Sequence, residues 1–120
     1  MAETVLPTFL KGVQQFNRGQ FFDAHETWEI LWMAASGPDR MFLQGAIQIA
    51  AAFHHWGRGN PAGTRSLLTA GLAKLVQFPA IYHGIRVDCL REQLQAWLQA
   101  VGSDLRSDRL SLPQIEWASR

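Results

Sequence analysis

The residues best suited to chemistry in this sequence are a histidine and a glutamate one helical turn apart, His25 and Glu29. At about 100° per residue their side chains lie about 40° apart, on a stripe that also carries Trp32. Further along the chain, three polar side chains recur at helical spacing, namely Gln44, Gln48 and His55. The connection between the two segments is short, so we expect antiparallel neighbours whose polar rows face each other in a buried slot.

Two interpretations of this polar slot remain open. In the first, its side chains hydrogen-bond one another, because burying such groups without partners costs roughly 2–7 kcal/mol. In the second, His25 and Glu29 bind a divalent metal, with His55 as a third ligand. Gln48 would then hold a water whose pKa the metal lowers toward about 7, which supplies a nucleophile for hydrolysis.

Hydrophobic spacing, together with the positions of proline and glycine, predicts the helices that must position the slot. The first lies between Pro7 and Gly19, and the second covers about residues 20–35 and is ended by the glycine-proline pair at 37–38. The third covers residues 41–57, which contain no charged side chain. We therefore expect it to be a central apolar helix that the others cover.

The second half of the chain predicts two more helices. Asn60 and a following proline begin the fourth, which Pro79 ends. Residues 80–87 are expected to form a loop or a short extended piece, and Asp88 then caps the fifth helix, which ends at Gly102. The predicted fold class is all-α, a compact bundle of about five helices arranged as antiparallel pairs around the central apolar helix.

Composition limits the class of protein. The chain has 120 residues, of which 48% are hydrophobic and 18% charged, so it can bury a core and is not a disordered segment. We assign residues 1–102 to a single helical domain and residues 103–120 to a tail. Four tail hydrophobics are expected to pack on the body or on a partner, which makes a homodimer possible: Leu110, Leu112, Ile115 and Trp117.

Charge and cysteine content exclude several kinds of partner and site. Eleven basic and ten acidic residues leave a net charge of +1, which favours neither nucleic acid nor a membrane surface. The one cysteine, Cys89, excludes an internal disulfide. The first residues lack the pattern of a signal peptide, so we expect a cytoplasmic protein. The turn over residues 57–60 resembles an anion-holding turn, although helix capping is the interpretation we favour there.

Several short motifs resemble those of a known family. The run from Phe16 to His25, then Glu29, Trp32 and the Gln44-Gly-Ala-Ile-Gln48 segment, is similar to the prokaryotic domain-of-unknown-function family 309. The resemblance covers roughly residues 9–101 and implies a small all-α bundle. It names no activity, although its motif residues coincide with the predicted slot.

Two functions follow as hypotheses. The first is a non-catalytic module that binds a small molecule or a peptide through the slot, or through the surface near Trp28, Trp56 and Trp117. The second is a metal-dependent hydrolase that uses His25 and Glu29 as ligands. The predicted binding residues are His25, Glu29, Trp32, Gln44, Gln48 and His55.

Overall fold

Glycines and prolines lie at several of the helix ends in this protein. The computed structural model describes residues 6–101 and 110–118, and five helices account for most of them. The helices are α1 (Leu6–Asn17), α2 (Phe21–Ala34), α3 (Gly37–Gly57), α4 (Pro61–Leu75) and α5 (Val87–Val101). Gly19, with φ of +80°, provides the left-handed residue that stops α1, as the sequence predicts.

Aromatic contacts fix the direction of neighbouring helices. The ring of Phe16, near the end of α1, lies 5.1 Å from Phe21 at the start of α2, whereas Phe9 stacks on Trp28 further along. Phe21 in turn lies 5.4 Å from Phe53, near the end of α3. Helices α1 and α2 are therefore antiparallel, as are α2 and α3, and the predicted all-α bundle is confirmed.

The closest helix pair is α3 and α4, which meet at two glycines. A Cβ atom on Gly71 would lie 2.5 Å from Cδ1 of Ile49 and 3.0 Å from the carbonyl oxygen of Gly45. Because α2 packs on the other side, α3 is the central helix of the described fold, as predicted. No helix in the described ranges is both long and apolar enough to cross a bilayer.

The boundary between α2 and α3 differs from the prediction. Helix α2 ends at Ala34, and the glycine-proline pair at 37–38 begins α3 rather than ending α2. Proline is tolerated in the first turn of a helix because the N–H that it lacks would have no intrahelical partner there. As a result α3 has 21 residues and gains a first turn that contains Asp39.

Residues 80–87, expected to be a loop or short extended piece, contain a small hairpin. Strand β1 (Ile81–Tyr82) pairs antiparallel with β2 (Ile85–Arg86). The two turn residues, His83 and Gly84, both have positive φ, of 49° and 80°. That conformation is typical of a two-residue hairpin turn whose twist matches the strands.

The described part of the tail, residues 110–118, lies against the body. The Asn17 carboxamide donates to the carbonyl oxygen of Ile115 at 2.9 Å and accepts from its N–H at 2.7 Å. Gln93 makes the same pair of bonds to the backbone of Gln114, at 3.0 and 2.8 Å. The predicted boundary at 102–103 lies outside the described residues.

Candidate functional site

In helix α2 the largest side chain, Trp28, lies in the core, whereas the predicted site residues lie at the margin of the buried face. Trp28 is fully buried, and its indole N–H donates to the carbonyl oxygen of Phe9 at 3.2 Å. This bond fixes the rotation of α2 about its axis. His25 then lies about 60° from Trp28 and Glu29 about 100° away on the same side, at the margin of the buried face.

The prediction of a buried slot is therefore wrong. The His25 side chain is 25% exposed and the Glu29 side chain 50% exposed, and they form an ion pair in which Nε2 lies 3.3 Å from Oε1. A pair this exposed contributes about 0.2–1 kcal/mol to stability. The other ring nitrogen of His25, Nδ1, is buried and has no hydrogen-bond partner among the described residues.

The predicted polar row on α3 is half-buried and divides between two neighbours. The Gln48 amide oxygen accepts from Lys74 Nζ of α4 at 2.9 Å, so this side chain turns away from α2. His55 Nδ1 lies 3.2 Å from the Asn60 side chain but also borders a cavity beside His25. Gln44 is half-buried on the same helix. Of this row, the structure brings only His55 next to the α2 histidine.

The remaining tryptophans named by the sequence occupy different settings. Trp32 is half-buried beneath the guanidinium of Arg40, which lies 4.1 Å from the ring centroid. Trp28 is fully buried, so it offers no binding surface and that part of the prediction is wrong. Trp117 is 45% exposed, and Trp56 packs edge-on against Trp97 with centroids 5.4 Å apart.

The structure does not assemble the predicted metal ligands. Among the residues it describes, no group of three His, Cys, Asp or Glu side chains has the spacing of a metal site. His25 and Glu29 are paired with each other, whereas His55 is hydrogen-bonded to Asn60. The proposed third ligand is therefore not positioned to complete a site.

Two adjoining cavities follow the line where the start of α2 meets the end of α3, and we call them together the α2–α3 groove. The larger has a volume of about 550 Å³, and the smaller, of about 200 Å³, is lined by Phe22, His25, Ala51, His54 and His55. Phe22 and His54 line both cavities. The larger cavity also has Asp23, Trp56, Arg58 and Leu112 in its wall.

The centre of the groove is an exposed phenylalanine between two imidazoles. The Phe22 ring is 48% exposed and lies 5.8 Å from the His25 ring and 5.2 Å from the His54 ring. Desolvation, together with the charges of Arg58, His55 and His25, lowers the pKa of His54. Near neutral pH His54 is therefore a neutral ring that both donates and accepts hydrogen bonds.

Sequence reasoning missed His54 and Arg58 as groove residues. Adjacent residues on a helix point about 100° apart, so His54 and His55 do not mark one site by their spacing alone. The prediction of capping in the turn over 57–60 agrees with the structure, where Asn60 accepts from the N–H of Gly63 at 3.1 Å. The signal that could have located the groove is Phe22, which lies about one turn before His25 on the same side of α2.

A second polar cluster joins the start of α3 to the hairpin. The Tyr82 hydroxyl donates to Asp39 Oδ1 at 2.5 Å, and His83 Nε2 lies 2.7 Å from the same oxygen. Partial burial alone would raise the pKa of Asp39, but the hydrogen bonds from Tyr82 and His83 lower it below its usual value. Burial and the bond to Asp39 raise the pKa of Tyr82 to about 12.

The chain matches one known protein family. Residues 9–67, from α1 to the middle of α4, fit the family model described as a domain of unknown function, DUF309. The matched segment begins at the predicted residue and ends before the predicted limit at 101. It includes both helices of the α2–α3 groove. No curated protein matches the chain.

Proposed function

The chain belongs to the DUF309 family, and we propose that its domain is a non-catalytic binding module that holds a small molecule or a peptide side chain in the α2–α3 groove. The observation that carries this proposal is the exposed Phe22 ring between His25 and His54 at the junction of two cavities. Ligand sites combine apolar and aromatic walls with a few polar groups in this way.

The size and lining of the groove support a small ligand. The larger cavity, of about 550 Å³, lies within the range of about 300–1,000 Å³ that ligand pockets occupy. Its walls include Phe53 and Trp56, which supply apolar surface, and His54, which supplies hydrogen bonds. The smaller cavity adds the imidazoles of His25 and His55 to the polar groups of the groove wall.

The metal-hydrolase alternative has less support. It requires His25, Glu29 and a third ligand around one ion, and the described residues contain no such group of three. A binding role needs no complete catalytic set, and it uses His25 and His55 where they lie in the groove wall.

A neutral aromatic compound tests the binding proposal. Titration with 2-phenylethanol, followed by backbone amide chemical shifts, is expected to perturb residues at the start of α2 and the end of α3. Phe22→Ala removes the central ring, so we expect the dissociation constant to rise about threefold or more, since an aromatic pair contributes about 0.5–1.5 kcal/mol.

Ile30→Ala is the matched control, because Ile30 is 66% exposed on α2 and lies outside both cavities. It should leave the titration unchanged. Perturbations away from the groove, or equal affinity of the Phe22→Ala and Ile30→Ala variants, would contradict a site centred on Phe22.

A further inference from the structure

The charges around the groove point to one class of ligand, and this step rests on the proposed function. We infer that the ligand is a small aromatic carboxylate, with its ring against Phe22 and its carboxylate on the Arg58 guanidinium beside His54. The same chemistry occurs in a free aromatic acid and at the end of a peptide whose last residue is phenylalanine.

Arg58 has a fixed backbone and an available side chain. Its N–H donates to the carbonyl oxygen of His55 at 3.1 Å, which anchors the residue where α3 ends. Within the described ranges its exposed side chain makes no hydrogen bond or ion pair, and Arg58 is one of the residues that line the larger cavity. A planar guanidinium is suited to hold a carboxylate through two parallel hydrogen bonds.

His54 lines the larger cavity together with Arg58, and His25 and His55 line the smaller cavity next to it. His54 lies 5.9 Å from the His55 ring, and Phe22 separates it from His25. Desolvation lowers the pKa of His54, and the positive charges of Arg58, His55 and His25 lower it further. A bound anion beside His54 offsets the positive potential of these groups, whereas a bound cation adds to it.

The carboxylates and carbonyl oxygens near the groove are few, and most of them already have a partner. Glu29 is paired with His25, and the carbonyl oxygen of His55 accepts from the N–H groups of Arg58 and Asn60. Asp23 is the carboxylate in the wall of the larger cavity. Because Asp23 belongs to α2, a ligand carboxylate is expected on the α3 side of the cavity, at Arg58.

The apolar part of the ligand has a matching surface. Phe53 and Phe21 are buried at the base of the larger cavity, and Phe22 stands exposed at its edge. Trp56 is held in place by its edge-on contact with Trp97. Aromatic rings stack or meet edge-on with such neighbours, so one ring next to a carboxylate fits both the shape and the charge of the site.

Three compounds that share one ring test the charge preference: phenylacetate, 2-phenylethanol and phenethylamine. With amide chemical shifts as the readout, we expect phenylacetate to bind at least threefold more tightly than 2-phenylethanol. Phenethylamine should bind most weakly. Acetyl-glycyl-phenylalanine, which carries the same ring and carboxylate at a peptide end, distinguishes a peptide source if it binds more tightly than phenylacetate.

Variants then locate the carboxylate. Arg58→Gln should weaken the binding of phenylacetate about tenfold, equivalent to about 1.4 kcal/mol, and leave the affinity for 2-phenylethanol unchanged. Asp23→Asn should strengthen the binding of phenylacetate, because it removes a negative charge from the wall of the larger cavity. The control is Arg65→Gln, because Arg65 lies on α4 with its guanidinium 3.4 Å from the carbonyl oxygen of Val101, outside the groove.

The outcomes separate the two claims. If phenethylamine binds more tightly than phenylacetate, or if Arg58→Gln and Arg65→Gln have the same effect, the inference fails. The binding module itself still stands in that case, provided that 2-phenylethanol binding depends on Phe22. If none of the compounds perturbs the groove, both the proposed function and the inference fail.

Discussion

One carboxylate, that of Asp39, receives hydrogen bonds from both the Tyr82 hydroxyl and the His83 imidazole. Tyr82 is the only tyrosine in the chain, so its ionisation can be followed by ultraviolet absorbance without interference from another phenol. We predict that it titrates near pH 12 in the folded protein. Asp39→Asn removes the charge and should move the pKa down toward the ordinary value of about 10.

The sign of the pH effect follows from the raised pKa of Tyr82. The protonated Tyr82 hydroxyl contributes to the free energy of unfolding, and this contribution is fully present below about pH 10. It is lost as the pH rises from about 10 to about 12, because the tyrosine of the unfolded state releases its proton at the lower pH. His83→Asn, which keeps the carboxylate, is the matched control and should retain the high value. Titration of the wild-type tyrosine near 10 would show that the bond to Asp39 does not form.

At the residue scale, the sequence predicted a polar pair but not its environment. His25 and Glu29 do pair, as their four-residue spacing suggests. Helical periodicity gives the angles between side chains but not which direction faces the core. Burial of Trp28 decided that direction, and it left Glu29 half-exposed and Trp32 at the edge.

At the scale of elements, the contact between α3 and α4 depends on Gly71. A methyl group there would meet the Ile49 side chain and, at 3.0 Å, the backbone carbonyl of Gly45. Since a backbone atom cannot move aside without separating the helices, we predict that Gly71→Ala lowers the free energy of unfolding by about 1–3 kcal/mol. Chemical denaturation measures this change.

Gly57→Ala is the matched control. Gly57 also lies on a helix, at the end of α3, and a Cβ there meets no heavy atom within 4 Å. Its replacement should leave stability unchanged or raise it by up to about 1 kcal/mol, because alanine favours the helix. If Gly71→Ala proves as stable as Gly57→Ala, the close approach of α3 and α4 is not present in solution.

Elements were more predictable than side-chain environments. Five helices follow from the hydrophobic spacing and from the prolines and glycines between them, and the first turn of α4 has its predicted cap in Asn60. The prediction that the proline at 38 ends α2 is wrong, because a proline can also stand in the first turn of a helix, as this one does in α3. The hairpin turn needed His83 in a left-handed conformation, which a histidine seldom adopts.

At the scale of the whole molecule, the groove forms where separate parts of the chain meet. Phe22 comes from the start of α2, His54 and Arg58 from the end of α3, and Leu112 from the tail. The tail is held there by the Asn17 carboxamide. Sequence periodicity describes one helix at a time, so a site whose walls are this distant in sequence was only partly predictable.

The four histidines of the chain divide between the two polar clusters. His25, His54 and His55 border the groove, whereas His83 is bonded to Asp39 near the hairpin. The imidazole resonances of His25, His54 and His55 therefore report on the groove, and the resonance of His83 is an internal control away from it. Desolvation and the charges of Arg58, His55 and His25 lower the pKa of His54, and Asp23 is the carboxylate in the wall of the larger cavity.

The most direct test of the groove as a ligand site is a titration of these four imidazole resonances against pH, with and without saturating phenylacetate. We predict that the ligand shifts the resonances of His25, His54 and His55 and raises the pKa of His54, because an anion favours its charged form. Binding should accordingly tighten as the pH falls toward that pKa. The resonance of His83 should not move. Unchanged groove resonances with both phenylacetate and 2-phenylethanol, or a shift of His83 equal to theirs, would contradict a binding site between α2 and α3.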